Sequence, residues 1–160
     1  YDNLNKKRYR SEGVFLFDTL NLNINNGLEL KKLFSILKNQ RTLVYYVSEK
    51  HCNTCIDLEI NLLKQFTEKY KPVNLVILQN LLSEDKRAAL IFMDRTALNC
   101  QMFIIDRLNL EAVNTDIPFV FFVDELGYTR FVFFLLKENL VPFTEYLDFI
   151  GQRFFNANKL

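Results

Sequence analysis

Cys52 and Cys55 stand three apart in His51-Cys52-Asn53-Thr54-Cys55, between an apolar β-like run, Thr42 to Val47, and a helix-like run, Ile56 to Tyr70. On the first turn of a helix, residues three apart have Cα atoms about 5–6 Å apart, within the range a disulfide bond spans. The helix N-terminus adds unpaired backbone N–H groups and positive dipole charge beside the leading sulfur, and both favour thiolate over thiol. A pair so placed can run thiol–disulfide exchange. In that chemistry Cys52, nearest the helix tip, is the nucleophile, its pKa drawn from ~8.5 to about 7 or below. Cys55 is the more buried resolving thiol. Two ordinary core cysteines are the competing reading, and the strand-to-helix placement weighs against it.

The surrounding residues offer further chemistry. His51 is the single histidine; protonated, it would help hold a thiolate, although adjacent side chains often point apart. Glu59 lies four residues past Cys55, on the same helix face. It reads either as an acid/base or as an exposed helix glutamate. Cys100 lies 45 positions beyond Cys55 and reads as a buried thiol rather than a redox partner. A zinc site built from His51, Cys52, Cys55 and Cys100 is the weaker alternative. Adjacent His and Cys chelate one ion poorly, and structural zinc sites show two well-spaced pairs. No metal and no dissociable cofactor is therefore expected; the reacting group is the Cys52–Cys55 disulfide.

With 160 residues, 49% of them hydrophobic, the chain can bury one core and is not a disordered polar chain. Sixteen Phe and no Trp imply a core packed with phenyl rings. A net charge of +1 gives no electrostatic case for nucleic acid or an anionic membrane surface. The densest basic patch, Lys6-Lys7-Arg8-Tyr9-Arg10, falls in a polar lead-in. Residues 1–12 are expected as a flexible tail and 13–160 as a single domain. No apolar run reaches the ~18 residues of a membrane span. Three cysteines are too few for a stapled scaffold. The chain starts at Tyr1, consistent with an upstream signal or membrane tether that has been removed.

The elements that must position the cysteines follow from the apolar pattern. Val14 to Phe17 reads as a short strand. Leu30, Leu33, Phe34 and Leu37 form a helical stripe after the Asn25-Asn26-Gly27 break. Thr42 to Val47 and Val73 to Leu78 read as buried strands flanking the cysteine-bearing helix, a βαβ unit with parallel strands. In the insert, Ser83 to Met93 reads as a helix, Met102 to Ile105 as an extra strand and Leu108 to Val113 as further helical turns. Phe119 to Val123 and Arg130 to Leu136, joined across Asp124-Glu125-Leu126-Gly127, form an antiparallel hairpin. Pro142 opens a last helix with Phe143, Tyr146, Leu147 and Ile150 on one face.

This order, β-α-β, an insert, then β-β-α, with CxxC after an early strand and Ile117-Pro118 opening a later one, resembles the thioredoxin-like fold. Ile117-Pro118, the apolar strand after it and Asp124-x-x-Gly127 are similar to the TlpA/ResA-type redoxins and the wider alkyl hydroperoxide reductase/thiol-specific antioxidant group. The resemblance covers residues of about 13 to 155. It implies an α/β fold, a central mixed sheet flanked by helices, with an N-terminal strand/helix extension and an insert before a cis-proline strand. It also implies a cis Ile117–Pro118 peptide facing the CxxC, with the Ile117 backbone and His51 contributing to substrate binding. A trans proline at a strand start is the competing reading. The sequence departs from the family in several places. His51 replaces the usual Trp, Tyr46 stands where thioredoxin has its buried acid, and Leu58 stands where TlpA-type proteins often carry Glu.

The expected activity is thiol–disulfide exchange with protein substrates, served by an upstream redox partner and located outside the cytoplasm, periplasmic or membrane-tethered. A redox-inactive, partner-binding relative is the alternative. A peroxidase is disfavoured, because Glu49 stands where the peroxiredoxin pattern has Thr, three before the leading cysteine.

Overall fold

The computed structural model of the protein describes residues 2–16, 20–21, 27–38, 40–48, 50–80, 98, 100–136 and 140–156. In chain order its elements are α1 (Asp2–Ser11), β1 (Leu20–Asn21), α2 (Gly27–Leu37), β2 (Thr42–Ser48), α3 (Asn53–Lys69) and β3 (Leu75–Asn80). There follow β4 (Gln101–Ile105), β5 (Arg107–Leu108), a 3-10 helix (Glu111–Thr115), β6 (Phe119–Val123), β7 (Thr129–Phe134), α4 (Val141–Ile150) and a π-helical turn (Gly151–Phe155). The helix expected over Ser83 to Met93 lies outside the described residues.

Five strands form one mixed sheet in the order β4-β3-β2-β6-β7. β2 runs parallel to β3, as the βαβ reading requires, and β3 parallel to β4. β6 pairs antiparallel with both β2 and β7. The central strand β2 and its inner neighbour β6 are buried along almost their whole length, which is why their sequences are continuous apolar runs rather than alternating ones. Alternation then divides the side chains between two cores. Leu43, Tyr45 and Val47 face α3 and α4 with Ile60, Leu63, Phe143 and Leu147, whereas Val44 and Tyr46 face α2 with Leu33, Leu37, Phe119 and Phe121. Phenyl rings fill both layers, as in the Phe122–Phe154 stack with centroids 4.2 Å apart.

Two expectations are corrected here. Residues 2–11 are a helix rather than a flexible tail. Ser11 ends that helix fully buried; its Oγ accepts from the Ala112 N–H (2.8 Å) and its carbonyl accepts from Thr129 Oγ1. A polar stretch with no apolar stripe can still dock when its backbone and a small hydroxyl satisfy groups that would otherwise be buried unpaired. Secondly, the cis peptide among the described residues is Lys71–Pro72, so Ile117–Pro118 is trans. Pro118 immediately precedes β6, where its missing N–H disturbs no ladder bond, and its carbonyl accepts from the Leu135 N–H at 2.8 Å. Val14 to Phe17 contributes a bridge from Phe15 to Tyr128 rather than a full strand, with Phe17 outside the described residues.

Candidate functional site

The register of the sheet brings the CxxC and Pro118 to the same end. β2 finishes at Ser48 beside Asn80 of β3, and α3 begins five residues later, directly after Cys52. Cys52 is the N-cap, with extended backbone (φ −66°, ψ 123°), and its carbonyl accepts the first helical bond from the Ile56 N–H at 3.0 Å. The leading cysteine therefore occupies the position where orphan N–H groups and dipole charge are strongest. Cys55 follows within the first turn, and both residues are half-buried. β6 pairs its first residue, Phe119, with Tyr46, so Pro118 lies level with the last residues of β2. A Lys50–Asp116 ion pair at 3.4 Å ties the loop before Cys52 to the loop before Ile117.

Behind Cys55 lies a buried acid. Glu59 is 3% exposed, one helical turn past Cys55 on the face packed against the sheet. The Tyr45 hydroxyl of β2 donates to Glu59 Oε2 at 2.5 Å. Burial pushes the Glu59 carboxyl up from its ordinary value to about 7, against the opposing effect of the Tyr45 hydrogen bond. Tyr45 itself is held well above 10, first by burial, then by the Glu59 charge and hydrogen bond, with a smaller effect from Cys55. The acid/base reading of Glu59 is thus favoured over the exposed-glutamate one by geometry. Sequence reasoning missed Tyr45 and pointed to Tyr46, which stands on the other face of the sheet. The alternation Leu43, Tyr45, Val47 was the available signal; counting back from the cysteines was not, because the turn after Ser48 sets its own length.

A test of this burial follows from linkage. The folded chain holds the Glu59 proton more tightly than the unfolded chain does. Its contribution to stability is therefore full below about pH 4.5 and is lost as pH rises through about 7. At ~1.4 kcal/mol per unit, that shift corresponds to about 3 kcal/mol. Glu59→Gln keeps an acceptor for Tyr45 and removes the charge. By urea denaturation it should be about 3 kcal/mol more stable than the parent at pH 8 and nearly equal at pH 4. Equal stabilities at both pH values would contradict the buried carboxylate.

His51 is placed differently from the expectation that it assists a thiolate. It is 7% exposed, packs edge-on against Tyr46 with centroids 6.4 Å apart, and accepts the Ser48 N–H on Nδ1 at 3.0 Å. Burial lowers its pKa to about 4, so near neutrality it is an uncharged Nε2–H tautomer. Its visible role is to close the turn between β2 and α3. Ile117 and Pro118 are half-buried, and the Ile117 N–H donates to Thr115 Oγ1 at 3.2 Å, which engages one of the two backbone groups an added strand would use. Cys100 precedes β4 at the opposite end of the sheet, four to five residues of strand, about 15 Å, from the CxxC end. Burial pushes its thiol up to about 11. It neither joins the pair nor completes the four-residue zinc set. Among the described residues no group of three His, Cys, Asp or Glu side chains stands together as a metal site.

Comparison with solved structures agrees with this geometry. A thiol:disulfide interchange protein from a Bacteroides species aligns over 88% of each chain at 12% identity, TM-score 0.51. A thioredoxin-like protein from Porphyromonas gingivalis aligns over 71% of this chain and 77% of its own at 14% identity, TM-score 0.52. A secreted disulfide oxidoreductase from Mycobacterium tuberculosis aligns over 71% of this chain and 84% of its own at 14% identity, TM-score 0.50. No protein-family model matches the sequence, and no curated protein does. The chain has a thioredoxin-like fold, a five-stranded mixed sheet flanked by helices, with its cysteine pair at the start of α3.

Proposed function

We propose that this chain is a thiol–disulfide oxidoreductase acting on protein disulfides through Cys52 and Cys55. The observation that carries the reading is the arrangement of Cys52 at the N-cap of α3 with buried Glu59 one turn behind Cys55. The Cys52 thiolate attacks one sulfur of a substrate disulfide. A Cys52–substrate bond forms, the substrate S–S bond breaks, and its second sulfur leaves as a thiolate. Cys55 then gives its proton to the Glu59 carboxylate and attacks Cys52 Sγ. The Cys52–Cys55 disulfide forms, and the first substrate sulfur departs with the electron pair, to be protonated by the Glu59 carboxyl or by water. Two electrons pass from the protein dithiol to the substrate, and a dithiol partner must return them.

Run backwards, the same steps oxidise client dithiols; the reduction potential decides, with ~30 mV moving the equilibrium tenfold. The Ile117-Pro118 segment, level with the CxxC, is the proposed wall of the substrate groove. An extracytoplasmic location fits the Mycobacterium tuberculosis neighbour, which is a secreted protein. Among the described residues no helix is long and apolar enough to cross a membrane.

The deciding experiment is a redox titration of the Cys52/Cys55 pair against glutathione or dithiothreitol buffers, read by thiol alkylation and mass. A single two-electron midpoint, with exchange of an insulin-type test disulfide, is the expected result. A dithiol that stays reduced across the whole range would end this reading in favour of a redox-inactive binding module.

A further inference from the structure

Tyr45 and Glu59 are polar residues committed to a core that is mostly hydrocarbon. The Tyr45 side chain is fully buried in the middle of β2, and Glu59 reaches it from α3. Buried hydroxyls and carboxyls are costly unless they satisfy one another, and here they do. The side chains that share this core from β3, β6 and α4, namely Ile77, Val120, Phe143 and Leu147, carry no charge. Of the titratable groups in this core, Tyr45 from β2 is hydrogen-bonded to Glu59, and Cys55 stands one turn earlier on the same helix, within electrostatic reach of Tyr45.

Resting on the thiol–disulfide reading above, we propose that Tyr45 is the positioning residue of this site. Its O–H donates to Glu59 Oε2, fixes the buried carboxyl one turn behind Cys55, and sets the pH at which that carboxyl takes the Cys55 proton. The phenol keeps its proton throughout the working range, because burial raises its own pKa, so it is always able to donate to the carboxylate. A hydrogen bond to the ionised carboxylate favours that form. Burial pulls the other way and prevails, leaving Glu59 able to exchange a proton near neutrality. The phenol thus keeps a buried acid from becoming too basic to release its proton.

The test reads Glu59 directly, with or without turnover. In protein carrying 13C-carboxyl glutamate, the Glu59 midpoint is followed by NMR in the parent, in Tyr45→Phe, and with 3-fluorotyrosine at position 45. Phenylalanine removes the donor, so the midpoint should rise by about one unit or more. 3-Fluorotyrosine is a stronger donor of nearly the same volume, so the midpoint should fall. Exchange by Tyr45→Phe should drop about fivefold at pH 7 and recover by pH 9, as the ionised fraction returns. A midpoint within about 0.2 unit of the parent in folded Tyr45→Phe overturns the proposal. If that variant does not fold, an unmoved midpoint with 3-fluorotyrosine does the same. Should the parent exchange no disulfide while both substitutions move the midpoint as stated, the redox reading falls and the hold of Tyr45 on Glu59 stands.

Discussion

Cys52→Ser is expected to lower disulfide exchange by about a thousandfold or more, to the uncatalysed rate, without unfolding the chain. A hydroxyl at the N-cap is at least as good a helix start as a thiol, so α3 should persist or gain slightly. What disappears is the sulfur that forms the mixed disulfide in the proposed mechanism. Cys55→Ser separates the two roles. Cys52 still attacks, but the second step has no nucleophile, and one equivalent of substrate-linked protein should accumulate, visible by mass and released by dithiothreitol. Parallel losses in both variants with no trapped adduct would show that the two sulfurs do not act in sequence. Cys100→Ser should leave exchange unchanged, because that thiol stands at the far end of the sheet with its proton firmly held.

The second large effect concerns stability. Gly151 has ordinary helical backbone angles, φ −61° and ψ −48°, so glycine is not required there for its dihedral freedom. It is required for space. A Cβ at position 151 would lie 2.5 Å from two Tyr70 ring carbons and 2.7 Å from a third. Nor can the ring swing aside freely. Its hydroxyl donates to Asp148 Oδ1 at 2.8 Å, and its face packs against Phe66 with centroids 5.3 Å apart. Overpacking against a held ring costs about 1–3 kcal/mol, and Gly151→Ala should reach the upper end. For a chain of this size that corresponds to a Tm lower by roughly 6–12 °C. Tyr70→Leu removes the obstacle, so the double variant should be clearly more stable than the two single losses added together. A Gly151→Ala protein within about 0.5 kcal/mol of the parent would show that the helix end shifts to make room.

Much of the fold was legible in the sequence because burial on both faces writes itself as apolar runs. Thr42 to Val47, Val73 to Leu78 and Phe119 to Val123 could be read as inner strands, and the strand-helix-strand spacing forces β2 and β3 parallel. Helix α4 could be read from Pro142 and its apolar stripe. Helix α1 could not. Its stability comes from hydrogen bonds to Ala112 and Thr129, more than 100 residues away, and no local periodicity records them. The isomer of Ile117–Pro118 was likewise beyond reach, since an X-Pro dipeptide carries either form at a difference of only ~0.5–1 kcal/mol.

The candidate site divides along the same line. That a cysteine pair lies at a helix start follows from a local pattern of five residues and the strands around it. Which groups surround that pair is a matter of faces. Strand alternation puts Tyr45 under α3 and sends Tyr46 to the other side, and helical periodicity brings Glu59 back over Cys55. His51 shows the reverse case, a residue adjacent to the thiol in sequence whose imidazole is spent closing a turn. The sequence by itself determined the chemistry available, two thiols, one carboxyl and the helix that carries them, because spacing along one helix is local. Only the tertiary structure decided which of these groups are dry and which meet. Burial, and with it the proton affinity of Glu59, His51 and Cys100, is set by residues distant in the chain.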